Sequence, residues 1–223
     1  MIFNRRTILR WALKASALGL TGLLPRPLKA MVKPGMRRVA GSVRVNGAAV
    51  QQGFIVAPGD TVTTGPDGEA VMVIDANAYL MRPGSEVIFP ERGVADKVLT
   101  VVSGKILSVF GPGRLVIDTP LASIGIRGTG CYVEASPALD YICLCYGQAI
   151  LQTKLNPSEA VVLDTFHHDD PRDIHADPAQ HGGVFQQPSQ MVNHRDEELI
   201  LLESLVERIP LFGPNPIKMP DQK

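Results

Sequence analysis

Three cysteines and five histidines carry the chemistry open to this chain. Cys131, Cys143 and Cys145 fall in one short stretch. His167, His168, His175, His181 and His194 follow, with Asp169, Asp170, Asp173 and Asp177 among them. Thiolate and imidazole together form a donor set for zinc, copper or an iron–sulfur centre. Cys143 and Cys145 are two apart in a run that reads as a strand, so both point to one face. A turn centred near Pro137 and Ala138 would set Cys131 opposite Leu144 or Cys145, and three thiols would meet on one patch. As metal ligands, Cys143 and Cys145 come first, then Cys131, with His167 or His168 next. A Cys-x-Cys pair with one distant Cys is not a zinc-finger or ribbon spacing, and two other readings stand beside it. In an oxidising compartment a cross-strand disulfide joins Cys131 to Cys145 or Cys143 and leaves one free thiol. Alternatively, all three are small buried apolar side chains, and the chain has no cofactor.

No other constellation suggests catalysis. The sequence has no Gly-x-Ser-x-Gly elbow, no His-Glu-x-x-His, no P-loop and no dinucleotide-binding glycine motif. The expectation is a protein that is not an enzyme.

The elements that must position these residues begin after an address. Arg5-Arg6 precedes an apolar run from Ala15 to Leu24, and Ala30 follows a short Pro/Arg segment. This pattern reads as a signal peptide over 1–30, of the twin-arginine type that exports folded proteins, and places the protein in the periplasm. The apolar run is too short for a stable transmembrane span, which needs about 20 residues. Six of the 22 basic residues lie in this segment and no acidic ones do. The remaining 193 residues therefore carry 16 basic against 22 acidic side chains, a net charge of −6. Such a domain does not suit nucleic acid as a partner.

Residues 31–40 read as a linker. From 41 to 165 short runs of Val, Ile and Leu alternate with turn pairs such as Asn46-Gly47, Gly59-Asp60 and Asp67-Gly68. About a dozen short strands follow from this, an all-β sandwich, roll or solenoid-like stack. Residues 166–192 are rich in His, Asp and Pro and read as a loop. One helix is expected over 193–210, capped by Asn193 and ended by Pro210, with a tail over 211–223. Its stripe of Leu199, Leu202, Leu205, Val206 and Ile209 would dock on the chain's own β-domain.

From Gly41 to about Leu151 the chain resembles the FecR-type domain of bacterial periplasmic proteins. The matching residues are the Gly41–Gly47 hairpin and Gly59-Asp60 followed by Thr64-Gly65. Thr119-Pro120, Arg127-Gly128-Thr129 and Tyr146-Gly147 continue the match. Well-known members sense iron–siderophore uptake and control a sigma factor, through an anti-sigma segment and a transmembrane helix ahead of the periplasmic domain. This chain reads as opening on an export signal, so the resemblance implies a periplasmic sensing or binding module linked to iron-related signalling. Its partner would be an unidentified envelope protein or ligand. A metal-binding or redox protein built on the cysteines and a structural envelope component are the alternatives. The motif residues read as architectural: Gly59 and Gly68 for turns, and Arg127, Gly128 and Thr129 in a glycine-punctuated strand, with Arg127 buried against a carboxylate or carbonyls.

Overall fold

The computed structural model describes residues 32–217, apart from 92, 94–96 and 180. The expected signal peptide, with Arg5 and Arg6, lies outside the described residues, as does the end of the tail. Short strands dominate the first half: β1 (Gly35–Ala40), β2 (Val43–Val45), β3 (Ala48–Ala49), β4 (Thr61–Thr64), β5 (Glu69–Ile74), β6 (Asn77–Met81) and β7 (Glu86–Ile88). Three long strands follow with one short one between them: β8 (Val98–Val109), β9 (Arg114–Asp118), β10 (Ala122–Ala135) and β11 (Leu139–Thr153). A single 3-10 turn at Pro157–Glu159 leads to β12 (Val161–Thr165), β13 (Arg172–His175) and β14 (Gln186–Pro188). Helix α1 (Asp196–Leu205) completes the described chain. Among the described residues the architecture is all-β with one helix near the C-terminal end, and fourteen strands form one continuous sheet that does not close into a barrel.

The long strands hold it together by serving two neighbourhoods each. The first part of β8 pairs with β7 and, in parallel, with β9; its last part pairs with β6 and β10. In β10 the first half pairs with β9 and the second with β8, while β11 runs antiparallel along nearly all of it. The register is irregular around Gly130, where a Cβ would lie 2.5 Å from the Tyr146 ring; only glycine lets the strands close there. Turn chemistry matches its sites, as at Asn46 (φ 50°) and Gly47 (φ 81°) between β2 and β3.

Alternation along these strands makes two cores. Met72, Ile106, Cys131, Val133, Ile142 and Leu144 face one cluster. Val71, Val73, Leu107, Tyr132, Cys143 and Cys145 face the other. A sheet with apolar side chains on both faces needs a second cover, and α1 supplies it by adding Leu199, Leu202 and Val206. Polar contacts pin the helix. Arg82 Nη2 donates to Glu198 at 2.9 and 3.0 Å and to the Asn193 carbonyl at 2.6 Å. Buried Glu203 accepts from the Tyr146 hydroxyl and from Arg208 Nε.

Several boundaries differ from expectation. The linker contains β1, which pairs with β5 and so belongs to the sheet. The expected loop over 166–192 contains β13 and β14, recruited by the first half of β11. The helix is shorter than 193–210. Asn193 is not its cap: it takes a left-handed φ of 57° and donates to Glu134, while the Arg195 N–H is held by Glu198. The helix ends before Pro210, at Leu205, and Ile209 is exposed rather than docked. No described helix is long and apolar enough to cross a membrane.

Because Leu202 is fully buried and Leu201 is 45% exposed, Leu202→Ala should cost about 2–5 kcal/mol by cavity formation. Leu201→Ala should stay within about 0.5 kcal/mol. Urea unfolding of the two variants checks the docking of the helix; equal, small effects would show that it does not form part of the core.

Candidate metal centre

Four buried donors converge where the second core meets the start of α1: Cys143, Cys145, His168 and His194, with their ligand atoms all within 4.8 Å of one another. Three separate pieces of chain deliver them. Cys143 and Cys145 share the helix-covered face of β11 through strand periodicity. His168 follows β12 in a left-handed conformation (φ 53°), uncommon for a residue with a side chain. Its N–H donates to the Cys145 carbonyl at 2.9 Å, which anchors the turn beside the cysteines. His194 lies just ahead of α1, and its ring stacks on Tyr132, 4.5 Å between centroids.

The far nitrogen of each ring is committed to an oxygen. His194 Nδ1 lies 2.7 Å from the Val192 carbonyl, which can only accept, so Nδ1 carries a proton and in the neutral ring Nε2 is the lone-pair nitrogen. His168 Nε2 lies 3.1 Å from Asp196 Oδ1, so by the same argument Nδ1 is the lone-pair nitrogen of its neutral ring. These two free nitrogens face each other at 3.1 Å, and Cys143 Sγ lies 3.4 Å from His168 Nδ1. A tetrahedral zinc ion with Zn–N of about 2.0–2.1 Å and Zn–S of about 2.3 Å sets its donors about 3.3 Å (N to N) and about 3.6 Å (S to N) apart. These two separations are within a few tenths of an ångström of that geometry, and all the donor atoms lie within 4.8 Å of one another. Histidine ligands held by a carboxylate and a carbonyl through their far nitrogens are the usual outer support of a bound metal.

The electrostatics favour a cation. The Cys143 thiol is held well below its ordinary value, chiefly by the hydrogen bond from Cys145 and then by His168 and His194, which together outweigh burial. Cys145 is pushed well above its ordinary value, by burial first and then by the neighbouring Cys143. Burial opposes charge on His168, but Cys143 and Asp196 outweigh it and raise its pKa. Burial also opposes ionisation of Asp196, and the N–H of Ile217 together with His167 and His168 reverses that. A divalent cation would allow both sulfurs to ionise.

The sequence-derived ligand set is partly brought together. Cys143, Cys145 and His168 are in the cluster. Cys131 is not: it lies opposite Leu144, between the two other cysteines, so its side chain falls on the other face of the sheet and joins the other core. The same register separates Cys131 from Cys145 and rules out the expected disulfide; all three cysteines are free and buried. His167 stands beside the cluster and supports it, with Nε2 2.9 Å from both oxygens of Asp196. His167, His168 and Asp196 form a second convergence of donors. His194 was among the histidines noted in the sequence, but nothing there singled it out, because its approach depends on how α1 docks. His175 and His181 stack on each other elsewhere, 3.5 Å between centroids.

The motif residues serve varied roles. Gly59 has φ 83°, and Asp60 accepts from Ala57 N–H at 2.7 Å and from Asn46 Nδ2 at 2.8 Å, which fixes that turn. Gly128 takes φ 58° and Thr129 is fully buried. Arg127 is not buried against a carboxylate. It is exposed, because its position in β10 alternates with buried Ile126.

No protein-family model matches the chain, and no curated protein matches it. Two crystal structures of a proposed anti-sigma factor from Parabacteroides distasonis ATCC 8503 are similar at 9% identity and a TM-score of 0.49. Each comparison covers 64% of this chain and 64% of that protein, so less than two thirds of the solved chain is spanned. A likeness of that degree carries nothing about function, which has to rest on this chain's own residues.

The free cysteines have a direct check. In denaturant with a chelator and no reductant, three thiols per chain should react with a thiol reagent. A single reactive thiol would restore the disulfide that the register excludes.

Proposed function

We propose that the chain is a metal-dependent binding and regulatory module, not an enzyme. A zinc-class divalent ion on Cys143, Cys145, His168 and His194 locks the C-terminal helix onto the β-fold. The observation that carries this reading is the 3.1 Å approach of two histidine nitrogens, each free of its ring's far-side oxygen partner, inside a cage shared with two cysteine sulfurs. Two sulfur and two nitrogen donors in a tetrahedral arrangement suit zinc. Four buried protein donors leave no position for a substrate, which is the form of a structural rather than a catalytic site. The ion would be supported by Asp196, at the first position of α1, which also accepts from the Ile217 N–H at 2.7 Å. Metal binding and closure of the C-terminal segment over Tyr132, Tyr141 and the two cysteines would then be one event.

The regulatory part of the reading rests on the order of Gly59-Asp60, Thr119-Pro120 and Arg127-Gly128-Thr129, which resembles FecR-type domains. Export to the periplasm rests on Arg5-Arg6 and the apolar run behind them. The twin-arginine route suits a protein that acquires its metal before export.

Protein purified without a histidine tag should carry one zinc-class ion per chain by elemental mass spectrometry. His194→Ala and Cys143→Ser should lose it and melt at a lower temperature, while Cys131→Ser and His175→Ala should keep it. Metal retained by His194→Ala, or lost from Cys131→Ser, would contradict the assignment.

A further inference from the structure

The outward face of β9, β10 and β11 carries two features that the fold does not need. Arg114 on β9 and Arg127 on β10 are directly opposite each other. Both are exposed, and among the described residues neither side chain forms an ion pair or hydrogen bond. Like charges directly opposite across a sheet are destabilising. The second feature is a bare position on the next outward rung, where Val116, Gly125, Ile150 and Val162 stand in register. Ile150 is 56% and Val162 74% exposed. A Cβ on Gly125 would meet nothing nearer than the Ile150 carbonyl oxygen at 4.0 Å, and its backbone is not left-handed. Folding therefore does not require glycine there. Its missing side chain leaves an open trough of about 450 Å³, with Arg114, Arg127 and Gln148 on one side and Val116, Ile150 and Val162 on the other.

We propose that this trough docks an extended segment of a partner protein in which an acidic residue adjoins an apolar one. The apolar side chain would lie over Gly125, between Val116 and Ile150. The carboxylate would bridge the Arg114 and Arg127 guanidiniums, relieving their repulsion with charge-assisted hydrogen bonds. The one carboxylate on the arginine rung, Asp164, is at its far end and accepts from Gln148 Nε2 at 2.9 Å, so the rung keeps an excess of positive charge. An open trough cannot enclose a small ligand, whereas a peptide needs only one face covered. The trough shares no residue with the Cys/His cluster, so the two readings stand or fall separately.

The test is selection of a displayed library of short random peptides against the wild-type protein, with Gly125→Leu as the counter-selection. Enriched peptides should pair Asp or Glu with Leu, Ile or Phe. As synthetic peptides they should bind at least about tenfold more weakly to Gly125→Leu and to the Arg114→Ala/Arg127→Ala double variant, and more weakly at high salt. Arg127→Ala alone should melt at an unchanged or higher temperature. The double variant changes only exposed side chains and keeps the test intact if Gly125→Leu misfolds. Peptides that are basic, or that bind both variants as well as wild type, would overturn the proposal. So would failure to enrich any peptide over Gly125→Leu, or binding by this face of phosphatidylglycerol vesicles instead of peptide.

Discussion

The His168 ring joins the β-fold to the C-terminal helix, and the arrangement around it depends on both of its nitrogens being used. One faces Cys143 and His194; the other faces Asp196 at the start of α1. The ring is buried, so neither nitrogen can be satisfied by bulk water. A buried polar group without its partner costs about 1–3 kcal/mol, and here one ring has three polar neighbours. The left-handed backbone at His168 is the local cost of presenting it. That cost is tolerated because the Cys145 carbonyl holds the residue's N–H and the surrounding core holds the ring.

The sheet explains why such a ring is needed at this place. Long strands with apolar residues on both faces produce two cores, and the second is covered by a ten-residue helix with Phe212 and Val32 beside it. Leu199, Leu202 and Val206 contribute burial, while Arg82–Glu198 and Tyr146–Glu203–Arg208 contribute direction. The helix is too short to be stable on its own. A metal cross-link between β11, the turn after β12 and the residue before α1 would fasten this cover at its N-terminal end, the end facing Asp196. The metal reading therefore connects a chemical observation, four converging donor atoms, with a mechanical one, a short helix held over a large apolar face.

Much of this was legible in the sequence, because strand periodicity and turn residues are local signals. The Asn46-Gly47 hairpin, the Gly59-Asp60 turn and the placement of Cys143 and Cys145 on one face follow from spacing alone. The misplaced Cys131 shows where spacing stops. A turn near Pro137 allowed either Leu144 or Cys145 as its partner, and a one-residue difference in register moves a side chain to the opposite face. His194 and Asp196 could not be ranked for a different reason: their approach to His168 depends on long-range docking of α1. The strands β1, β13 and β14 lay in polar or Pro-rich sequence and form because long neighbours offer them an edge.

The most direct measurement is X-ray absorption at the metal edge of the purified full chain. The account predicts a four-coordinate ion with two sulfur ligands at about 2.3 Å and two imidazole nitrogens at about 2.0–2.1 Å, reduced to one sulfur in Cys145→Ser. A shell of nitrogen and oxygen alone, or one with three sulfurs, would contradict it: the first would move the ion away from Cys143 and Cys145, and the second would bring Cys131 through a sheet that places it on the other face.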